Sequence, residues 1–194
     1  MMGTERPDYE AWKEWSEGDF GKFSFHQDAY YRAEVFDRCS TVPGTKLLEI
    51  GYGNGSLLGF SRSLGLEVAG VELNPVLQQR AVNAGFRVFA STDSLPDSHF
   101  DVAVALDVME HVPDSQSIEF LTDIKRGLKP GGLLILRFPN GDSPFGRALQ
   151  YGDVLMSVLS AASRSLTLPE ERGSASSRWQ TKRLRPTICH LSFV

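Results

Sequence analysis

Between Lys46 and Pro139 the chain alternates short apolar runs with stretches of helical periodicity. Lys46–Ile50 (KLLEI), LEVAGVEL with the strand ending at Glu72, FRVFA from Phe86, FDVAVALD from Phe100 and LLILRFP from Leu133 read as five strands. Residues 56–64, 75–84 and 115–128 carry the helix period, with Gly65 and Gly85 as stops. The KPGG of residues 129–132 reads as a turn. Strand and helix in regular alternation predict a Rossmann-like, doubly wound α/β fold: a mostly parallel sheet with helices on both faces. The fourth run is nearly all apolar, as a strand covered on both sides should be.

The two ends are patterned differently. Residues 8–39 carry Tyr9, Trp12 and Trp15, then Tyr30, Tyr31 and Phe36, with Gly18 and Gly21 between. That spacing predicts two short amphipathic helices joined by a glycine loop. From residue 154 onward six basic residues stand against two acids, a local +4 that leaves −8 on the rest. RGSASSR is low in complexity and no strand-like run is evident after Leu168. Residues 154–194 are therefore expected to be a divergent, disordered or truncated segment, with the C-terminal antiparallel edge incomplete. The basic residues fit an RNA-binding tail less well than they fit a plain chain end.

Composition narrows the class. At 194 residues the chain is long enough to bury a core and short enough for one domain. A net charge of −4 argues against a nucleic-acid partner. Cys39 and Cys189 have no second Cys or His at metal spacing and read as free thiols in a reducing compartment. With neither an apolar leader nor an 18-residue apolar run, no membrane partner and a cytoplasmic location are expected. The oligomeric state is not written in the pattern.

The chemistry begins at LLEIGYGNGS, residues 47–56, where Gly51, Gly53 and Gly55 follow a buried strand. Each glycine costs backbone entropy, so something must approach the backbone closely. In an open parallel sheet, ligands sit beyond the carboxyl ends of the strands, and a helix N-terminus supplies free N–H donors. Glu72, 21 residues after Gly51, ends the second strand where a carboxylate accepts ribose hydroxyls. A dinucleotide site wants G-x-G-x-x-G, but position 56 is Ser and the glycines fall as G-x-G-x-G. A nicotinamide-dependent oxidoreductase is thereby disfavoured.

These segments, in order, resemble the class I S-adenosylmethionine-dependent methyltransferases. LLEIGYGNG is similar to the family's first motif, an acid, any residue, then G-x-G-x-G, and VAGVELNP to its ribose-binding segment. LPDSHFDVAVALDVMEHVPD and LKPGGLLILRFPN resemble the fourth-strand and fifth-strand regions of the small-molecule branch. The resemblance covers about residues 28–153. Glu110-His111 before VPD is similar to the branch with ubiquinone-biosynthesis O-methyltransferases and sugar or antigen-cluster methyltransferases.

The resemblance implies an N-terminal helical lid over residues 1–40, with Phe25, Tyr30 and Tyr31 in it, and a cofactor-binding core over 41–153. It implies S-adenosyl-L-methionine as cofactor and methyl transfer to a small-molecule acceptor, with an oxygen nucleophile expected. Gly51, Gly53 and Gly55 would let the methionine part pass over the backbone. Glu49 would lie near its amino group, Glu72 would accept the ribose hydroxyls and Leu73 would face the adenine. The acid that commonly meets the adenine amino group falls at Ser91, with Asp93 two residues later, and the sequence leaves the two open. Asp107 would stand near the methionine ammonium or the reacting methyl.

His111 is the candidate base, since imidazole is the side chain suited to taking a proton near neutral pH, although a packing histidine accounts for the same residue. Asp107, Glu110 and His111 together could hold a divalent cation, but the reading adopted is no metal. The atypical C-terminus leaves a non-catalytic or defective cofactor-binding domain as the rival to an active enzyme.

Overall fold

The computed structural model describes residues 15–138, 179–185 and 188–193. Five strands, β1 (Lys46–Ile50), β2 (Glu67–Val71), β3 (Arg87–Phe89), β4 (Phe100–Leu106) and β5 (Leu128–Arg137), form one sheet in the order β3-β2-β1-β4-β5. Every neighbouring pair is parallel. Strand order reverses between β1 and β4, which is where an open α/β sheet places its ligand.

Helix α1 (Phe25–Glu34) precedes the sheet, and α2 (Ser56–Ser63), α3 (Pro75–Asn83) and α4 (Asp114–Gly127) connect its strands. Local chemistry starts each one. Ser24 caps α1 in a capping box: its hydroxyl accepts from Gln27 N at 3.2 Å while Gln27 Oε1 accepts from Ser24 N at 2.8 Å. Asn74 Oδ1 accepts from Val76 N at 2.9 Å, with Pro75 at the first helical position of α3.

Alternate residues of the strands serve opposite faces. Leu48, Ala103, Ala105, Leu134 and Leu136 pack with Leu121 and Ile124 of α4. Leu47, Val102, Val104 and Ile135 pack with Leu57 and Phe60 of α2 and Tyr31 of α1. Each such Leu or Phe contributes about 1.5–3 kcal/mol on full burial. Phe60 is a hub for the N-terminal segment: the rings of Phe23, Phe36 and Tyr31 stand 5.2, 5.3 and 5.7 Å from it. A third cluster, Tyr52, Leu58, Leu77, Ala81 and Phe86, lies under α3 and receives Trp15 and Phe20.

Two features depart from the sequence expectations. Strands do form after Leu168: β6 (Trp179–Arg185) and β7 (Ile188–Phe193) pair antiparallel, and β7 runs close beside β5. WQTKRLR lacks an apolar run because an antiparallel edge does not need one, and ICHLSF hides an alternation of period two. Second, the turn expected at 129–132 is taken up into β5, where β4 advances two residues while β5 advances five, around Gly131 at φ +77°. Of the two N-terminal helices expected, α1 is present among the described residues, preceded by a short 3-10 turn at Glu17–Asp19. The helix expected around Tyr9 and Trp12 lies outside them. No helix among the described residues is long and apolar enough to cross a membrane.

Candidate functional site

The loop after β1 turns on three left-handed glycines, Gly51, Gly53 and Gly55, at φ +68°, +53° and +70°. What approaches them is protein. A Cβ on Gly51 would lie 2.6 Å from Val108 Cγ2, one on Gly53 2.6 Å from the Trp15 ring, and one on Gly55 2.6 Å from the Phe20 ring. The glycines thus seat side chains from the end of β4 and from the N-terminal segment.

Glu72, just beyond β2, lies across this loop. Its Oε2 accepts from Gly53 N at 3.2 Å, and its Oε1 accepts from Leu73 N at 2.9 Å and Asn74 N at 3.1 Å. Three backbone donors hold the carboxylate and leave it acceptor capacity for hydroxyls. Leu73 beside it is 78% exposed, an apolar side chain bare at the mouth of the site. Glu49 is buried in β1, and burial pushes its carboxyl well above the usual range, against the Leu58 backbone N–H at the start of α2, which lowers it, and the charge of Glu72, which raises it further.

At the next carboxyl end, Ser91 and Asp93 come together: the Ser91 hydroxyl donates to Asp93 Oδ1. Their turn is gripped from α4 by Arg126. Its guanidinium donates to Leu95 O at 2.7 Å, Asp97 Oδ1 at 2.6 Å, Asp93 O at 2.9 Å and Thr92 O at 3.4 Å.

Asp107 ends β4 in the left-handed region at φ +56°, a conformation costing about 1–3 kcal/mol for such a residue and concentrated at functional sites. Its Oδ2 accepts from Arg137 Nη1 at 2.6 Å, and the Arg137 guanidinium lies 5.3 Å from the centre of the Tyr30 ring. Burial pushes the Tyr30 hydroxyl up to about 12. Glu110 and His111 diverge: Glu110 is 4% exposed, whereas His111 is exposed. Burial, reinforced by the charge of Asp107, raises the Glu110 carboxyl to about 7. Asp107, Glu110 and His111 do not converge, and no group of three metal-ligating side chains stands together among the described residues.

Orphaned polar atoms gather at this edge. Among the described residues, Glu49 Oε2, Tyr52 OH, Asn54 Oδ1, Glu110 Oε2 and Arg137 Nε are buried without a hydrogen-bond partner, with Ser61 Oγ as the one such atom elsewhere. Buried polar groups are ordinarily satisfied, so their concentration marks a place that takes polar ligand atoms. A cavity of about 450 Å³ opens at the opposite, amino edge, lined by Arg38, Cys39, Asp101 and Lys129. Lys129 is there paired with Asp101 at 2.6 Å, and burial pushes the Cys39 thiol up to about 11, which makes it a poor nucleophile.

The residues singled out from the sequence, Glu49, the glycines, Glu72, Leu73, Ser91, Asp107 and His111, stand at this edge. Sequence reasoning passed over Trp15 and Phe20 as glycine-loop contacts, and Arg126 and Arg137 altogether. Of the lid aromatics it named, Tyr30 lies beside Arg137 at this edge, Tyr31 is buried against Phe60 with its hydroxyl 2.6 Å from Ser56 Oγ, and Phe25 is 83% exposed. Arg126 carried no signal, because its partners are carbonyls that no motif records.

A doubly wound sheet with an acid-ended second strand folded onto a glycine loop is the architecture of a nucleoside-binding α/β protein. A sequence model of the methyltransferase domain matches residues 24–189, and the chain belongs to that family, the S-adenosylmethionine-dependent methyltransferases of class I. It is 29% identical over 120 residues to demethylmenaquinone methyltransferase of Tropheryma whipplei, covering 58% of this chain and 49% of that protein. It is 34% identical over 116 residues to ubiquinone biosynthesis O-methyltransferase of Cereibacter sphaeroides, covering 53% and 46%. The chain thus spans about half the length of these curated relatives. A crystal structure of a SAM-dependent methyltransferase from Archaeoglobus fulgidus superposes with a TM-score of 0.61 at 23% identity, over 77% of this chain and 66% of that one. The family match sets the nicotinamide-dependent oxidoreductase aside.

Proposed function

We propose that this protein transfers a methyl group from S-adenosylmethionine to an oxygen of a small-molecule acceptor. The observation that carries the reading is Glu72 bonded to Gly53 N, which brings a ribose-accepting carboxylate and bare backbone to one point. The residues fit the cofactor: orphaned polar atoms of Glu49, Tyr52 and Asn54 lie along the same loop. Gly51, Gly53 and Gly55 would bear its methionine part, with Glu49 near the amino group. Glu72 would accept the ribose hydroxyls, Leu73 would cover the adenine, and the Ser91–Asp93 pair would meet the adenine amino group. Asp107 would stand near the ammonium or the reacting methyl. When bound, the cofactor supplies a methyl made electrophilic by its positive sulfur.

The chain's task is then alignment and proton removal. Fixing two reactants in attack geometry supplies up to about 7–11 kcal/mol. With the methyl supplied by the bound cofactor, the acceptor oxygen would give up its proton to a base of this chain. His111, exposed at the rim, is the base proposed here. The buried carboxyl of Glu110, raised to about 7 with one oxygen unpartnered, favours a second reading in which it takes the proton instead. The O-methyltransferase among the relatives supports an oxygen acceptor. A mass-spectrometric screen of phenolic, sugar and small-acid acceptors with S-adenosylmethionine tests the proposal. One acceptor should gain a methyl on oxygen with equimolar S-adenosylhomocysteine; methylation confined to nitrogen or carbon would overturn it.

A further inference from the structure

At Gly53 and Gly55 the close approach is made by the chain's own N-terminal strap. The indole of Trp15 comes within 2.6 Å of where a Cβ of Gly53 would be, and the phenyl ring of Phe20 within 2.6 Å of where a Cβ of Gly55 would be. The strap is tied at its edges. Arg80 Nη1 donates to Trp15 O at 3.2 Å, Asn54 Nδ2 donates to Asp19 O at 3.3 Å, and Gly21 N donates to Asn54 O at 2.9 Å. Phe20 meets the rings of Tyr52 and Phe86 edge-on, each at 6.0 Å. Gly21 itself is anchored, since a Cβ on Gly59 of α2 would lie 1.8 Å from its carbonyl oxygen.

Glycine 53 therefore has two neighbours at once. Its N–H is bonded to Glu72 Oε2, and the open side of its Cα is under the indole. A nucleoside whose ribose is accepted by Glu72 and whose tail lies on the backbone of Gly53 needs the volume that the indole fills. We propose that Trp15 is a displaceable occupant of the cofactor seat and sets its affinity, with Phe20 as the pivot that keeps the strap on the loop. This rests on the cofactor reading given above.

The geometry suits exchange rather than permanent closure. Trp15 and Phe20 are only half-buried, and Gly18 stands between the indole that must move and the Phe20 pivot. The energetic consequence is a competition: a site that is open for only a fraction of the time binds with its intrinsic dissociation constant divided by that fraction. If the indole is seated nine-tenths of the time, its removal tightens cofactor binding about tenfold.

Calorimetric titration of S-adenosylhomocysteine into wild type, Trp15→Ala and Trp15→Phe reads this directly. Trp15→Ala should bind about tenfold tighter than wild type, and Trp15→Phe should fall between. A wild type that binds while Trp15→Ala binds equally or more weakly would overturn the occupant role, whereas a wild type that does not bind would overturn the cofactor reading instead. Should Trp15→Ala fail to fold, emission spectra keep the proposal exposed: saturating S-adenosylhomocysteine should red-shift wild-type tryptophan emission and leave Trp15→Phe unshifted. A shift that persists in Trp15→Phe, or none in wild type, would contradict it.

Discussion

Glu110 and His111 are adjacent in sequence and opposite in environment. The imidazole is solvent-facing, while the carboxyl is buried with one oxygen unsatisfied. If His111 is the base, His111→Asn lowers kcat about 10²-fold or more and leaves S-adenosylhomocysteine affinity unchanged, the signature of a group used only in the reaction. If that variant keeps full turnover and Glu110→Gln loses it, the base is the buried carboxyl. Stability separates the two residues as well. A carboxyl raised from 4.5 to about 7 favours the fold while protonated, so its contribution is present below pH 4.5 and is lost as pH rises through about 7. Thermal denaturation should show Tm of the wild type falling by roughly 2–5 °C relative to Glu110→Gln between pH 5 and 8. Parallel curves would mean that Glu110 titrates normally in the fold.

At the scale of elements, the strands and helices from 46 to 128 were legible because each is announced by local chemistry. KLLEI is buried on both faces, Asn74-Pro75 opens α3, and Gly65 and Gly85 close α2 and α3 at φ +81° and +78°. The hairpin of β6 and β7 was not legible, since an edge strand such as WQTKRLR is defined by its partner rather than by its own hydrophobicity. The turn that holds Ser91 and Asp93 shows the same blindness. Arg126, 33 residues away, fixes it through three carbonyls and Asp97. Because a planar fork makes these bonds, Arg126→Lys should behave like Arg126→Ala. Each should weaken S-adenosylhomocysteine binding about three- to tenfold by calorimetry and lower Tm by roughly 2–4 °C. Unchanged affinity would mean that the turn does not reach the ligand.

For the whole molecule, the doubly wound topology puts every strand's carboxyl end at one edge. The acid at 49, the glycines, Glu72, Ser91, Asp107 and His111 therefore come to that one edge without any contact being known in advance. Contacts across that edge were invisible. Nothing in the motif says that Val108, Trp15 and Phe20 fill the glycine positions, or that Arg137 pairs with Asp107 over Tyr30. The glycines were read as room for a ligand, and they are equally room for an indole. Both uses need the same bare backbone, which is why the motif alone could not divide them.

The central claim is that the glycine loop and Glu72 form a cofactor seat, and isothermal calorimetry tests it most directly. S-adenosylhomocysteine should bind the wild-type protein and NAD should bind more weakly or not at all. Glu72→Ala should weaken S-adenosylhomocysteine by about 1.5–3 kcal/mol, roughly 10- to 150-fold, the scale of hydrogen bonds to a charged group. Binding of S-adenosylhomocysteine that is absent, weaker than that of NAD, or indifferent to Glu72→Ala would contradict the account.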